Sequence, residues 1–260
     1  MSHSPFLQAA LDAADQADGI IRAAYRGTFD VSVKADASPV TEVDVAAEKA
    51  IRGLLSERFP THGFYGEETG RTGMEAEYLW LVDPIDGTKS FVRGYPMFSV
   101  QIALMHRGEL ILGVSSAPCW NGASGERAWA EKGRGACLDG LPMQVAPTTS
   151  IASATLSTGN LASLALSPAW SNLGVLIPKL HRLRGYGDFL HYHLLAGGRI
   201  DAVIESDVNI LDIAALTVIV REAGGTVTDL RGHPVGLDTT SVLAAVPALH
   251  KTLLEAVAYG

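Results

Sequence analysis

Cysteine is almost absent. The 260 residues contain two, Cys119 and Cys137, and neither lies in a CxxC or CxxH pattern, which excludes a disulfide-stapled scaffold and a cysteine-based zinc site. Both read as reduced, buried thiols. Basic residues are also in short supply, 20 Lys and Arg against 28 Asp and Glu, and no Lys/Arg cluster interrupts the net charge of -8. Neutralising nucleic-acid phosphates needs a basic surface, so no nucleic-acid partner is expected. No apolar run is long enough for a membrane span, and the start Met-Ser-His-Ser-Pro has neither the basic flank nor the apolar stretch of a signal peptide. A chain that stays in the cytoplasm, away from membranes, is expected. There is no Gly/Ser tract, Pro-rich run or charge block that reads as a flexible linker, and no short-period repeat. Two halves packed together, 1–146 and 147–260, are therefore expected, with the boundary near Pro147.

What is present is apolar material: 47% hydrophobic against 18% charged residues, ample for a large core. Ser4-Pro5 opens a helix predicted over residues 5–26, with Phe6, Leu7, Ala10, Leu11, Ala14, Ile20, Ile21 and Ala24 at helical spacing before Gly27. Thr41 is a good N-cap for a second helix that Pro60 ends, and Val31 to Lys34 reads as a short extended segment. Leu79 to Val82 reads as a buried strand ended by Asp83-Pro84 at a sharp turn. Hairpins are predicted from Phe98–Met105 with Leu110–Ser116, and from Arg127–Glu131 with Gly135–Leu138. In the second half, strands are expected at Ala154–Ser157, Lys179–Leu183, Ala202–Glu205, Thr226–Thr228 and Val242–Ala245, with helices at Asp188–Ala196, Leu211–Ala223 and Pro247–Val257. An α/β half follows an α+β half.

The most informative stretch is Trp80-Leu81-Val82-Asp83-Pro84-Ile85-Asp86-Gly87-Thr88-Lys89-Ser90-Phe91. Two carboxylates around a proline at the end of a buried strand cannot both stay ionised in a dry site without a cation. Hard oxygen ligands suit Mg²⁺, with Mn²⁺ as a substitute. An acidic protein acting on an anionic phosphate must bring its own cation. Pro84 fixes the chain so that both acids and the Ile85 carbonyl can face one point, and Gly87 lets the backbone approach a phosphate through the Gly87 and Thr88 N–H groups.

Asp83 to Thr88 is the Asp-Pro-Ile-Asp-Gly-Thr signature, Gly66-Glu67-Glu68 precedes it, and Leu211-Asp212-Ile213-Ala214-Ala215 and Glu222-Ala223-Gly224-Gly225 follow. With Lys34, Pro39-Val40-Thr41 and Asp44, this set resembles the inositol monophosphatase superfamily over nearly the whole chain. Leu211 departs from that pattern, standing where the family has tryptophan. The resemblance implies a layered αβαβα sandwich of the inositol monophosphatase and fructose-1,6-bisphosphatase type, a homodimer, and a phosphomonoesterase that uses two or three Mg²⁺ ions. It implies Glu67, Asp83 and the Ile85 carbonyl as ligands of one ion, Asp83, Asp86 and Asp212 as ligands of a second, and Glu67 again for a third. Glu67 and Thr88 would orient and deprotonate the attacking water, with Thr41 and Asp44 in support and no phosphoenzyme formed.

Each acid also has an ordinary structural reading: Asp83 as a turn residue before proline, Asp212 as a helix N-cap, and Glu68 as a solvent-facing or supporting acid. His191-Tyr192-His193 reads as a packing and surface feature, since residues two apart on a helix face different ways. Gly133-Arg134-Gly135 reads as a hairpin turn, because it lacks the later glycine and the Lys-Ser/Thr of phosphate loops.

The alcohol must be read from the second half. Arg184-Gly185-Tyr186-Gly187-Asp188-Phe189 resembles the histidinol-phosphate phosphatases of the superfamily. A carboxylate at Asp188 would pair with the ammonium of that substrate, which a polyol lacks. Asp86, Gly87, Thr88, Arg184, Gly187, Asp188, Phe189, Glu205 and Asp212 are the expected substrate-binding residues. Phe189 is placed against the imidazole, within the chain or across a dimer interface, Arg184 on phosphate or on Asp188, and Asp188 alternatively as a helix N-cap after Gly187. Three readings follow: a histidinol-phosphatase in histidine biosynthesis, an inositol or broad sugar-phosphate phosphatase, and a silent regulatory protein that the intact acids argue against.

Overall fold

The computed structural model describes residues 3–33, 39–122 and 124–258, so Lys34 lies outside the described residues. Ser4 caps α1 (Pro5–Ala24), its Oγ accepting the Leu7 N–H at 3.1 Å. The helix stops short of the expected Arg26 because that residue turns left-handed, with φ of 64°. β1 (Val31–Val33) and β2 (Pro39–Thr41) pair antiparallel, and Thr41 then caps α2 (Glu42–Arg58). β3 (Gly63–Gly66), β4 (Gly70–Thr72), β5 (Tyr78–Asp86), the short α3 (Thr88–Val92), β6 (Ser99–His106), β7 (Glu109–Ala117), β8 (Glu126–Glu131), β9 (Ala136–Leu138) and β10 (Leu141–Met143) complete the first half. Both expected hairpins are present, β6 with β7 and β8 with β9.

The second half contains β11 (Thr155–Thr158), α4 (Ala162–Ala165), α5 (Ala169–Leu176), β12 (Arg182–Arg184), α6 (Asp188–Ala196), β13 (Ala202–Ser206), α7 (Ile210–Glu222), β14 (Thr226–Thr228), β15 (Ser241–Ala245) and α8 (Pro247–Val257). The strand expected from Lys179 begins only at Arg182, because Ile177–Lys179, built around Pro178, form a 3₁₀ turn.

Among the described residues the large sheet runs β10-β9-β8-β7-β6-β5-β3-β4, and the smaller one runs β12-β11-β13-β15-β14. β3 and β5 pair in parallel, while β5, β6, β7 and β8 form an antiparallel meander. The near-continuous apolar run of β5 is explained by burial on both faces. Trp80 and Val82 join α1 and α2 in one core, whereas Leu79 and Leu81 join α7 and the second half in another. α7 crosses β5 to β8 closely, and Gly113 permits it, since a Cβ there would sit 2.3 Å from the Ala215 carbonyl oxygen. Helices α6 and α7 lie between the two sheets, and α8 packs on β15 beyond the second, giving the layered αβαβα sandwich. Cys119 and Cys137 are free and only half-buried, not sealed in the core.

Candidate active site

Residues three apart on a regular strand point to opposite faces of the sheet, so Asp83 and Asp86 should not meet. A bulge makes them meet. Opposite β6, Asp83 faces Gln101 and Asp86 faces Ser99, so Pro84 and Ile85 together oppose Val100 alone. The extra residue turns Asp86 onto the side of Asp83, and a proline is tolerated there because the ladder is already broken. The strand therefore runs on to Asp86 and does not end in a sharp turn at Asp83-Pro84. The Ile85 N–H donates to Asp83 Oδ1 at 2.9 Å.

Parallel pairing of β3 with β5 sets Gly66 beside Val82, and the Glu67 N–H donates to the Val82 carbonyl at 3.2 Å. Glu67 thus leaves the end of β3 alongside Asp83. Glu48, buried on α2, accepts the N–H groups of Glu68 at 2.8 Å and Thr69 at 2.5 Å, fixing the turn that follows Glu67. The sequence reading overlooked Glu48. Its signal was an acid one turn after Asp44, beside the apolar stripe of Ala47 and Ile51.

Thr41 and Asp44 form a capping box at the start of α2. Asp44 Oδ2 accepts from the Thr41 N–H at 2.8 Å and from its hydroxyl at 2.5 Å. The other oxygen, Oδ1, accepts the Thr88 hydroxyl at 3.0 Å, and the Ile85 carbonyl lies 3.0 Å from the same hydroxyl. Thr88 follows Gly87, which caps α3 in the left-handed region at φ of 92°. A second capping box opens α7. Asn209 is its N-cap, and Asp212, three residues on, accepts the Asn209 N–H at 3.0 Å on Oδ2 and the Asn209 side-chain amide at 2.7 Å on Oδ1. Asp212 is therefore not the N-cap. Leu211 beside it is buried in the core beneath the site.

Carboxylate oxygens of Asp83, Asp86 and Asp212 all lie within 4.8 Å of one another. Burial and the negative charges of Glu67, Asp86 and Asp212 push Asp83 well above the ordinary carboxylate range, and Glu67 also shares a hydrogen bond with it. Burial, then Asp188, Asp212, Glu205 and Glu67, do the same to Asp86. Burial raises Asp212 to about 7 with help from Glu67 and Glu205, although the Asn209 N–H opposes the shift. Among the described residues, the charges that act most strongly on Asp83 are all negative. A crowded donor set made wholly of hard oxygens fits a hard divalent cation.

Asp86 and Asp212 share a small cavity with Asn160, Asp188, Tyr192, Glu205, Val208, Ile213 and Leu216. Asp188 is the first residue of α6, after the N-cap Gly187, in the left-handed region at φ of 45°, and among the described residues its side chain makes no capping hydrogen bond. Burial and Glu205 raise it to about 6, with His191 acting in the opposite direction. Glu205, buried on β13, accepts the Tyr192 hydroxyl at 2.7 Å. Two expected residues are elsewhere. Phe189 is fully buried, edge-on to Trp120 and His193, because the neighbour of a cavity-facing helical residue turns into the core. Arg184 is exposed and donates to the Leu183 carbonyl at 2.7 Å, not to Asp188. His191 and His193 are core residues with separate partners: His191 Nδ1 faces Ser157 Oγ at 3.3 Å, and His193 lies between Glu126 at 2.7 Å and Ser115 at 2.9 Å.

A bulged strand delivering two acids, a helix start delivering a third and a sandwich of this layering together define a family. The chain belongs to the inositol monophosphatase family, whose model matches residues 2–259. It is 40% identical over 261 residues to a histidinol-phosphatase of Mycobacterium tuberculosis (strain ATCC 25618 / H37Rv), covering 98% of each chain. To a histidinol-phosphatase of Chlorobaculum parvum it is 35% identical, covering 99% of this chain and 98% of the relative. Among solved structures, the extragenic suppressor protein suhB of Bartonella henselae superposes with a TM-score of 0.87 at 29% identity, covering 98% of each chain.

Proposed function

We propose that this phosphoric monoester hydrolase is Mg²⁺-dependent and releases phosphate from L-histidinol phosphate, a step of histidine biosynthesis. The observation that carries the substrate is Asp188, a further acid that makes a pair with Glu205 in one cavity with the ligand carboxylates Asp86 and Asp212. A polyol phosphate gives such a pair no cation to neutralise, whereas histidinol carries an ammonium and an imidazole. Similarity to histidinol-phosphatases supports the same reading.

In this mechanism Asp83, Asp86, Asp212, Glu67 and the Ile85 carbonyl would hold the cations, which when bound would offset the charge of the phosphate oxygens and lower the pKa of the attacking water. The chain's own residues do the rest. Thr41 fixes one oxygen of Asp44, whose other oxygen holds the Thr88 hydroxyl, so Thr88 Oγ keeps a fixed direction towards the water. Glu67 accepts the proton that the water loses as the water oxygen bonds to phosphorus, while the ester P–O bond breaks and the departing alcohol oxygen takes a proton from solvent. The N–H groups of Gly87 and Thr88 receive phosphate oxygens, and Asp188 takes the substrate ammonium. Residence in the cytoplasm and assembly as a homodimer belong to the same proposal. Phosphate release from histidinol phosphate, inositol 1-phosphate, fructose 1,6-bisphosphate and adenosine 3′,5′-bisphosphate, each with Mg²⁺ and with chelator, tests it. The expected result is Mg²⁺-dependent turnover with the highest kcat/KM on histidinol phosphate. Preference for inositol 1-phosphate would instead establish the polyol reading.

A further inference from the structure

Glu205 has two oxygens with unlike surroundings. Oε2 accepts the Tyr192 hydroxyl at 2.7 Å and lies 3.1 Å from His191 Nε2. That histidine contact is close but lacks hydrogen-bond alignment, so the tyrosine is the oriented partner. Oε1 lies against Gly159, where a Cβ would come within 1.6 Å of it, and among the described residues it accepts no hydrogen bond. The carboxylate is thus pinned at one oxygen by a fully buried phenol, and its other oxygen occupies space that only glycine leaves. Glu205 and Tyr192 both line the cavity that Asp86, Asp188 and Asp212 share. Glu205 as a whole is buried, but Oε1 is not sealed from solvent, so this oxygen without a protein donor is open to a ligand donor that enters the cavity.

We infer that Tyr192 is a specificity-determining positioning residue: with Gly159 beneath the carboxylate, it fixes Glu205 so that Oε1 faces the cavity as an acceptor for the alcohol half of the substrate. Asp188 provides the second acceptor, and the pair selects an alcohol with two separate donors, of which a nitrogen cation is the best match. The inference rests on the histidinol-phosphate reading for the identity of those donors. It does not rest on that reading for the role of Tyr192.

The test compares kcat/KM for donor-bearing esters, histidinol phosphate and inositol 1-phosphate, with kcat/KM for phenyl phosphate, which offers Glu205 no donor. Failure of the histidinol reading appears in the wild-type panel. The present inference is read from the variants, on whichever donor-bearing ester the wild type turns over fastest. Tyr192→Phe keeps the ring and removes the hydroxyl, and it should lower the preference for that ester over phenyl phosphate by about 10-fold to 100-fold, the scale of one hydrogen bond to a charged group. Gly159→Ala, which moves Oε1 from the other side, should cause the same loss of preference. In a Glu205→Ala background, Tyr192→Phe should change the ratio less than about 2-fold, because the two residues act through one carboxylate. Parallel losses on both esters, or an undiminished effect of Tyr192→Phe without Glu205, would overturn the inference and leave Tyr192 a packing residue.

Discussion

Asp188 and Asp212 hold their protons more tightly in the cation-free fold than in the unfolded chain, with pKa values near about 6 and about 7 against an ordinary 3.8. Their contribution to stability is therefore fully present below the ordinary value and is lost as pH rises through about 6 and then about 7. Thermal melts in chelator should show a lower Tm near pH 7.5 than near pH 5, and Mg²⁺ should raise Tm more at the higher pH. Asp83→Asn removes one of the repelling charges. It should raise Tm in chelator, abolish the rise caused by Mg²⁺ and remove Mg²⁺-dependent turnover; a retained Mg²⁺ response would take Asp83 out of the metal site. Asp188→Asn should cost about 1 to 3 kcal/mol in kcat/KM on histidinol phosphate and far less on inositol 1-phosphate, the scale of one charge-assisted bond. Asparagine tolerates the left-handed backbone at this position and no cap is lost, so equal losses on both substrates would exclude charge recognition. The carboxylates themselves were legible in the sequence, because acids interrupting apolar runs demand a reason. Phe189 was misplaced because sequence proximity to Asp188 does not say which way a helical side chain turns. Tyr192, Gly159 and Glu48 were not singled out because their partners are remote in sequence, as Glu205 is from Tyr192.

Two of the site's acids are third residues of helix capping boxes, Asp44 behind Thr41 and Asp212 behind Asn209. The position suits them, since a helix N-terminus favours negative charge and the cap N–H groups fix the carboxylate. Asn209→Ala removes the cap on the Leu211 N–H and the side-chain amide bond to Asp212, and leaves the bond from the residue 209 backbone N–H in place. It should destabilise the protein by about 1 kcal/mol. It should also raise the Mg²⁺ concentration needed for half-maximal activity, because Asp212 loses one of the two hydrogen bonds that orient it; an unchanged requirement would show that the cap serves the helix alone. Thr41 was readable as a cap because it precedes an apolar stripe, whereas Asp212 obscured Asn209 by looking like a cap itself. The bulge in β5 was not readable either. Pro84 signals an interrupted strand, and only the register against β6 turns the interruption into a site.

At the scale of the molecule, the layers are joined by contacts that no local periodicity encodes. The core beneath the large sheet combines Leu79, Leu81, Ala103 and Met105 with Leu211, Ile213, Ala214 and Val218 of α7. Glu222 at the end of the same helix accepts the N–H groups of Gly133 at 3.0 Å and Gly135 at 2.9 Å, tying α7 to the turn between β8 and β9. Apolar runs and helical spacing mark the strands and helices well, because each element buries one face or, as in β5 and α7, nearly all of itself. They do not say that α7 closes the first half's sheet. We propose that residues 1–146 and 147–260 are halves of one cooperative unit, since removing α7 would bare an apolar sheet face and strand Asp212 away from Asp83 and Asp86. Urea unfolding of the metal-free chain, followed by far-UV circular dichroism and by tryptophan fluorescence, should give a single coincident transition. Trp80, Trp120 and Trp129 report on the first half and Trp170 on the second, so fluorescence samples both. The fragment 1–146 expressed alone should show no cooperative transition. Two separated transitions in the full chain, or a fragment that melts cooperatively, would mean that each half carries its own stable core and that the metal site is assembled by docking.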